Sequence, residues 1–383
     1  MHNLKVQGFF LLDVDVVALN NAGLSNISNN ENVVATKKVP KNNKWYPYVS
    51  GQAIGAWWRD TLQKQFNWPL SPILRESKTA FTAANPILYP DDDVFGYMKA
   101  AKEGVVDEDT GEIQTNAKGK QKMEDVTVTR IAPLKKSAVV SVGPVGIARN
   151  WSSMSRHEGD AVPYFKEEYS AIMKGQFSLD LDQVGAFSTY NKTGFKNLTD
   201  PLREYALAHG CEEVDDPYVL NGKGLPHKLV RLPKERIAQR STDVIQALKV
   251  ISGGAMQTNN MADVTPKFII LALMHTGNHP FGHILSVLNR TNDVLSEKEE
   301  QNEIRAAQII HFSTESIKEV LRDYKAQFEG VVFIGKRMGF MDEHSGELKE
   351  LEKLGAQYPT VTVGSIGEAI DGFCEHLKNI ILK

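Results

Sequence analysis

The pattern of apolar and polar positions along the chain predicts a mixed α+β protein. Residues 4–19 are apolar on both faces in their first half, which is typical of a strand covered by other elements on both sides. Apolar side chains recur at helical spacing from Ser50-Gly51-Gln52 to about Phe66 and predict a helix. Alternation at 175–188 predicts another strand, and 234–251 another amphipathic helix.

The order of these elements points to a particular α+β fold. Further strand-like segments lie at 126–132, 137–143 and 267–275. With the insertions left out, we interpret the central order as strand, helix, strand, strand, helix, strand. This is the split βαβ order of ferredoxin-like and RNA-recognition folds. A helical stretch at 296–328, and a strand followed by a helix near the end, predict a C-terminal α/β extension over 296–383.

Three segments interrupt this order as insertions. Residues 20–48 are polar and rich in Asn, and predict a long exposed loop. Residues 101–125 carry dense charge and few large apolar side chains, which predicts a flexible segment. Residues 144–172 form a long excursion between two predicted strands. The length of 383 residues suits two average domains or one domain with long insertions, and we favour one domain, 1–383.

Net charge excludes a chain that is basic throughout, but its distribution is uneven. The formal net charge is −3. No Asp or Glu occurs from Val126 through His157, where five cations lie, and the cations of 217–234 are likewise free of acids. Separation of the two signs suits a basic groove on an otherwise neutral body, although a solvated face produces the same pattern.

Cysteine usage and hydropathy bear on the compartment. Cys211 and Cys374 are the two cysteines of the chain, so no disulfide framework is possible and a reducing compartment, the cytoplasm, is expected. No stretch approaches the length of a membrane span, so we expect no membrane partner.

Candidate catalytic and metal-binding patterns are weak. His275, His279 and His283 are four residues apart, but the glycines and the proline between them break the helix that would align them on a metal. Asp13 and Asp15 share one strand face, as paired carboxylates and ordinary solvent-facing pairs both do. The stretch "VGSIG" at 363–367 is explained by a capping box of Ser365 and Glu368. We therefore expect no enzyme activity, no metal and no cofactor.

Features that suit a nucleic-acid backbone are stronger. The first N–H groups of a helix that opens at Ser50-Gly51-Gln52 favour an anion, although a serine there is more often only a cap. Arg59 could close on a neighbouring phosphate. The loop 252–261 is rich in small and amide-bearing residues, which hydrogen-bond a backbone and read sequence poorly. Aromatic Trp151 and Tyr164 lie among cations, as in single-strand binding sites.

Several blocks of the chain resemble one known family. They are "WYPYVSGQAIGAWWRDTL", "DDDVFGYM", "RIAPLKKSAVVSV", "PYFKEEYSAIMKGQFSLDLDQVGAF" and "GGAMQTNNMADVTPKFIILALMHTGNHPF". Together they resemble the DevR, or CRISPR autoregulator, family, the Cas-seven backbone subunits of type I-B Cascade. The blocks extend from about residue 45 to 281 and so cover most of the chain.

The resemblance implies a modified RNA-recognition (ferredoxin-like) palm with an inserted finger at about 67–130 and a thumb at about 144–172. It implies subunits that polymerise along crRNA, hold its backbone without regard to sequence and present it to target DNA. The other partners implied are further copies and the large, crRNA-end-capping and crRNA-processing endonuclease subunits of Cascade. The residues expected to contact nucleic acid are Lys37, Lys38, Ser50, Gln52, Arg59, Arg130, Lys135, Lys136, Arg149, Arg156, His157 and Gln257.

Two alternative functions stay open. Related backbone subunits of type III complexes cut RNA with an aspartate in the loop after the first strand. That loop, 20–48, contains Glu31 as its single acid, so the resemblance implies a non-catalytic subunit here. A DNA-binding transcriptional autoregulator is the other alternative, for which the sequence shows no helix-turn-helix signature.

Overall fold

The computed structural model describes residues 3–24, 33–76, 79–100, 102–104, 123–125, 127–155, 158–190, 194–287 and 310–383. Within these ranges the chain is a mixed α+β protein built on one large, mostly antiparallel sheet, which confirms the predicted class.

The described strands occur in runs between the helices. They are β1 (Lys5–Val17), β2 (Asn21–Leu24), β3 (Val33–Thr36), β4 (Lys38–Lys41), β5 (Lys44–Val49), β6 (Ile73–Glu76), β7 (Thr79–Thr82), β8 (Tyr97–Lys99), β9 (Lys102–Gly104), β10 (Met123–Asp125), β11 (Val128–Arg130), β12 (Leu134–Lys136), β13 (Val139–Ser141), β14 (Ala148–Met154), β15 (Val162–Asp180), β16 (Ala186–Ser188), β17 (Glu212–Leu220), β18 (Pro226–Arg231), β19 (Phe268–Met274), β20 (Leu285–Val287), β21 (Ile310–Phe312), β22 (Phe328–Lys336) and β23 (Thr360–Gly364).

The helices of the described ranges are mostly short. They are α1 (Gly51–Phe66), α2 (Pro90–Phe95), α3 (Asp200–Ala208), α4 (Lys234–Gln246), α5 (Gln257–Asn260), α6 (Thr314–Asp323), α7 (Ser345–Glu350) and α8 (Ile366–Leu382), with 3₁₀ turns at Ala247–Lys249, Pro280–His283, Lys325–Gln327, Asp342–His344 and Leu351–Lys353. Across these described helices, none combines the length and the apolar character that crossing a bilayer requires.

The main sheet has the strand order β23-β22-β19-β1-β15-β13-β5-β4, and β12, β14 and β3 also pair with β15. Strand β1 lies between β15 and β19 and is antiparallel to both. Strands β12 and β13 are antiparallel to β15 as well. The strands predicted at 4–19 and 267–275 are therefore confirmed, and the structure shows that they are neighbours near the centre of the sheet.

Successive side chains of β1 enter two different cores. Phe10 and Leu12 pack in a core that includes residues of α1, α4 and α8, whereas Phe9 and Leu11 pack in a second core with residues of α6 and α7. Neighbouring residues of a strand point to opposite faces, so a strand covered on both faces needs consecutive apolar residues. This accounts for the continuous apolar stretch from Phe9 to Leu12 in β1.

Helix α1 matches its predicted bounds. Ile54, Trp58 and Leu62 form its buried face. The indole Nε1 of Trp58 donates to the Val244 carbonyl of α4 at 2.8 Å, and its ring lies edge-on to Phe177 of β15 with centroids 5.2 Å apart. The helix is thereby held between α4 and the sheet.

The prediction of a long loop at 20–48 is wrong for the described residues of this segment, because they form four strands, β2 to β5. Strands β4 and β5 form a hairpin around Asn42 and Asn43, whose φ values are 49° and 58°. Two successive left-handed residues match the type I′ turn that suits the twist of a hairpin, and Asn tolerates this conformation well. The asparagines therefore encoded a turn; residues 25–32 lie outside the described residues.

Two other predicted boundaries are also wrong. The second half of the excursion at 144–172 and the strand predicted at 175–188 are one 19-residue strand, β15, which pairs with β14 and ends at Asp180. In the helical stretch predicted at 296–328, residues 310–312 are a strand and helix α6 begins at Thr314. Most of the segment predicted as flexible at 101–125, and residues 288–309, lie outside the described residues.

Both edges of the main sheet carry features that discourage further pairing. Edge strand β4 contains Pro40 between Val39 and Lys41, and proline and lysine are common on edges exposed to solvent. At the opposite edge, Val363 of β23 donates its N–H to Glu352 at 2.8 Å and accepts from Lys349 at 3.0 Å. Side chains thus occupy backbone groups that another strand would need.

His279 gives the protein a predictable response to pH. Its Nε2–H donates to the Gly8 carbonyl at 2.8 Å, and burial lowers its pKa from 6.5 to about 4. Between these values the unfolded histidine binds a proton that the folded one does not. We therefore expect the free energy of unfolding to fall as the pH is lowered from 6.5 towards 4, as measured by urea unfolding at a series of pH values.

The matched control for this prediction is an exposed histidine of the same segment, His283. The variant His279→Gln should flatten the pH dependence in this window, whereas His283→Gln should leave it in place. An unchanged slope in His279→Gln would contradict the assignment.

Candidate nucleic-acid interface

The start of α1 presents backbone donors to solvent. The Ser50 hydroxyl accepts from the Ala53 N–H at 3.3 Å, and the Ser50 N–H donates to Asn20 Oδ1 at 3.0 Å. Within the described residues, no acceptor pairs with the N–H groups of Gly51 and Gln52. These two donors and the helix dipole together favour an anion at this end.

Other predicted residues gather at the same end of β1 and α1. The Lys37 N–H donates to the Asn20 carbonyl at 2.8 Å, and the Ala255 N–H donates to the Leu19 carbonyl at 2.9 Å. Gly253 packs against the Trp57 ring of α1. The structure therefore brings Lys37 and the loop 252–261 to the helix start. Asn20, which links Lys37 to Ser50, has no counterpart among the predicted residues.

Gln257 lies in this loop, but its side-chain amide forms hydrogen bonds with backbone carbonyls of the same segment. Its Nε2 donates to the carbonyls of Gly253 and Ala262, the second at 3.3 Å. The side chain thus orders the loop that packs on α1, and its Nε2 is not a free donor for a backbone. Gln257 supports the surface rather than extending it.

Lys38 and Arg149 meet over one buried acid. Both oxygens of Glu167 accept from Lys38 Nζ at 2.9 Å, and Oε1 accepts from Arg149 Nε at 3.2 Å. Burial alone would raise the pKa of Glu167, but the hydrogen bonds from Lys38 and from the Thr36 N–H hold it below its ordinary value. Glu167 therefore stays charged and offsets part of the positive charge that the sequence predicted here.

Next to this pair, β14 presents an aromatic ring to solvent. Trp151 is 65% exposed, on the same strand as Arg149. Arg156 and His157 lie outside the described residues. The predicted grouping of cations with an aromatic side chain is thus present for Arg149 and Trp151.

The prediction that Arg130 contacts nucleic acid is wrong, because this side chain is buried in the interior of the protein. Its guanidinium is buried and donates to the Asp93 carboxylate, the Asp93 carbonyl at 2.8 Å, the Ala186 carbonyl at 2.9 Å and the Gln183 carbonyl at 2.6 Å. It also lies 4.5 Å from the Phe187 ring centroid. Four of its five N–H groups are used in these bonds and its side chain is 3% exposed, so Arg130 cannot contact RNA in this conformation.

The two lysines that follow Arg130 in sequence behave differently from it and from each other. Lys135 is exposed on the sheet opposite Ser178 of β15. Lys136 points towards α1, and its Nζ lies 5.5 Å from the ring centroid of Phe95 in α2. Arg59 Cζ of α1 lies 4.3 Å from the same centroid. Sequence reasoning missed Phe95 as part of this site, although it lies in the block "DDDVFGYM".

The patterns weighed for catalysis have structural explanations. Residues Pro280–His283 form a 3₁₀ turn, so the three histidines do not share a helix face. Asp15 accepts from the Ser170 hydroxyl at 2.5 Å, and burial raises the pKa of Asp13. Within the described ranges, no group of three His, Cys, Asp or Glu side chains is placed to hold a metal. The capping box of Ser365 and Glu368 is confirmed.

Comparison with known proteins gives a family match over most of the chain. A family model described as CRISPR-associated negative auto-regulator DevR/Csa2 matches residues 12–299. This match includes every residue predicted to contact nucleic acid. A search of curated proteins gives no match.

Comparison with solved structures gives matches that include two chains of CRISPR complexes. A chain of a "CRISPR RNA-guided surveillance complex" is 8% identical, with a TM-score of 0.46, over 97% of this chain and 99% of that chain. A chain of a "CRISPR RNA-guided surveillance complex, pre-nicking" is 9% identical, with a TM-score of 0.48, over 97% of this chain and 100% of that chain.

Proposed function

Because the chain belongs to the DevR/Csa2 family of CRISPR-associated proteins, we propose that it is a non-catalytic backbone subunit of a type I-B Cascade complex. In this role, copies of the chain polymerise along crRNA in the cytoplasm, hold its sugar–phosphate backbone and present its bases to target DNA. The other partners are the large, crRNA-end-capping and crRNA-processing subunits of the complex.

The start of α1 is the observation that carries this proposal. The N–H groups of Gly51 and Gln52, which no described residue accepts from, lie beside Lys37, and Arg59 follows on the same helix. Backbone N–H groups and cations bind phosphates whatever the base, so the surface suits sequence-independent binding. Base pairing then supplies the sequence recognition.

The topology supports a modified RNA-recognition palm. The neighbouring strands β19, β1, β15 and β12, with α1 after β1 and α4 after β15, follow the antiparallel order of the split βαβ fold. The hairpin β6–β7 and the antiparallel pair β8 and β11 fall within the segment proposed as the finger, about 67–130. The hairpin β14–β15 corresponds to the proposed thumb, about 144–172.

A second candidate follows from the family description, which names a negative auto-regulator. A transcriptional regulator would bind duplex DNA with sequence preference and would form a discrete oligomer. A gel shift with a promoter fragment separates the two functions. If single-stranded RNA competes away all of the binding, the regulator candidate is excluded.

The non-catalytic assignment has its own test. Incubation of the protein with target RNA and divalent metal should leave the RNA intact. Cleavage that disappears in Asp13→Ala or Asp15→Ala would contradict the assignment.

Replacing Arg59 or Gln52 with alanine should weaken RNA binding to a similar extent for all sequences. Loss of a charge-assisted contact to a phosphate is expected to reduce affinity about tenfold. The measurement is fluorescence anisotropy with several single-stranded RNAs of equal length and different sequence, combined with the particle size after co-expression with a CRISPR array.

Lys64→Ala is the matched control, since Lys64 lies in the last turn of α1 with a side chain that is 65% exposed and paired with Asp60. It should bind RNA like the wild type. A loss in Arg59→Ala that varies strongly with RNA sequence would contradict backbone binding.

A further inference from the structure

One face of α1 is shaped to admit a side chain from the sheet. Gly51, Gly55 and Arg59 are four residues apart and therefore share this face. A Cβ on Gly51 would lie 3.3 Å from the Lys136 carbonyl oxygen, and a Cβ on Gly55 would lie 2.5 Å from Lys136 Cε. Lys136 thus runs along the helix, with its backbone over the first glycine and its side chain over the second.

The path of Lys136 ends beside Arg59. The guanidinium carbon of Arg59 lies 4.3 Å from the centroid of the Phe95 ring, and the Lys136 ammonium lies 5.5 Å from it. Phe95 itself is 7% exposed. Two cations from different elements, Arg59 of α1 and Lys136 of β12, therefore lie over the same aromatic ring, that of Phe95.

The charges around these two cations are unequal. Burial lowers the pKa of Arg59, and the nearby Asp91 and Asp92 act against that effect. These carboxylates also accept from the Ser71 and Asn85 N–H groups, each at 2.9 Å. For Lys136 both effects act in the same direction: burial lowers its pKa, and the positive charge of Arg59 lowers it further.

Lys136 and Arg59 also retain hydrogen-bonding capacity. Within the part of the chain that the structure describes, neither side chain takes part in a hydrogen bond or an ion pair within 4.0 Å. Both are partly exposed. A half-buried ammonium held against another cation is unfavourable by itself, and an anion placed between the two groups would remove the repulsion.

We propose that Arg59 and Lys136 bind one phosphodiester group of RNA between them, with Gly55 as the residue that admits Lys136. The inference rests on the proposed function, since it names the chemical group bound at one point of the RNA-binding surface. A guanidinium fork and an ammonium together offer several donors to the oxygens of one phosphate. The second cation comes from the sheet because α1 carries glycine, without a side chain, one turn before Arg59.

Salt dependence of binding distinguishes one shared phosphate from two separate ones. The protein is titrated into a fluorescent single-stranded RNA at several salt concentrations, as wild type, Arg59→Ala, Lys136→Ala and the double variant. Each single variant should lose affinity about tenfold, and the double variant should lose less than the product of the two. The slope of log K against log salt is negative, and it should become less steep by roughly 0.7 in the double variant, the change expected when contact with one phosphate is lost.

Lys64→Ala is the matched control for removal of charge, because Lys64 lies in the last turn of α1, away from Gly55, with a side chain that is 65% exposed. It should bind RNA more tightly than Lys136→Ala at every salt concentration. A slope that becomes less steep by about 1.4 in the double variant would mean that Arg59 and Lys136 contact two separate phosphates, and it would overturn the proposal.

Gly55→Ala tests the position of Lys136 without removing its charge. Alanine favours a helix more than glycine does, and the atom that it would displace lies near the end of a flexible side chain, so the variant should fold. Its affinity for RNA should fall several-fold, with an unchanged circular dichroism spectrum. Wild-type affinity in both Gly55→Ala and Lys136→Ala would overturn the inference alone, whereas absence of RNA binding by the wild type would overturn the proposed function as well.

Discussion

Replacing Asp93 with alanine is expected to lower the free energy of unfolding by about 3–5 kcal/mol, because two buried guanidinium groups lose the carboxylate that they share. Asp93 is fully buried and accepts from Arg130 through one oxygen and from Arg240 at 2.6 Å through the other. The Gly185 N–H also donates to it at 3.0 Å. The carboxylate therefore joins α2, β11, α4 and the turn after β15.

Denaturant unfolding followed by circular dichroism measures this loss. The control is Asp215→Ala, which removes an ion pair with Lys228 whose side chains are 56% and 61% exposed. Such surface pairs contribute between about 0 and 1 kcal/mol. A loss in Asp93→Ala no larger than that of the control would contradict the assignment of Asp93 as the centre of a buried network.

Replacing Gly8 with alanine is expected to cost about 1–3 kcal/mol through overpacking. Gly8 lies in the middle of β1, and an added Cβ would overlap the ring of Phe177 on the neighbouring strand. This ring is 2% exposed, and it contacts Trp58 and Phe10 at centroid distances of 5.2 and 6.5 Å. Surrounded in this way, it has no space into which to move.

The double variant Gly8→Ala/Phe177→Leu separates a steric cause from a weakened strand. A smaller side chain opposite the new methyl group should make the double variant more stable than the sum of the two single losses predicts. Gly277→Ala is the control, since apart from its two chain neighbours no described residue has an atom within 4 Å of its added Cβ. Strictly additive losses would show that the clash with Phe177 is not the cause.

Patterns in the sequence predicted correctly those elements that are stabilised by interactions between residues close together in the chain. Helix α1 combines a serine cap with a buried face at helical spacing, and the capping box before α8 is likewise encoded within four residues. The apolar run of β19 predicted a strand, and all seven of its residues are buried. These signals are strong because each involves contacts between residues close in the chain.

The same patterns did not reveal which charges remain available at the surface. Arg130 and Lys136 lie in one acid-free stretch, yet the first is buried against Asp93 and the second is partly exposed beside Arg59. Likewise, Lys38 and Arg149 share Glu167, which is far from Lys38 in sequence. Sign and spacing of charge are properties of the sequence, but the partner of each charge is a property of the fold.

The sequence by itself therefore determined the α+β class, the central strands, the cap of α1 and the type of residue at the proposed interface. Only the tertiary structure decided that Lys37, Asn20 and the loop 252–261 meet at that cap, and that Lys136 crosses Gly55 to reach Arg59. The physical reason is the range of the interactions. Caps and helical spacing act over a few residues, whereas the pairing of β12 with β15 and the packing of α1 on both join segments that are distant in the chain.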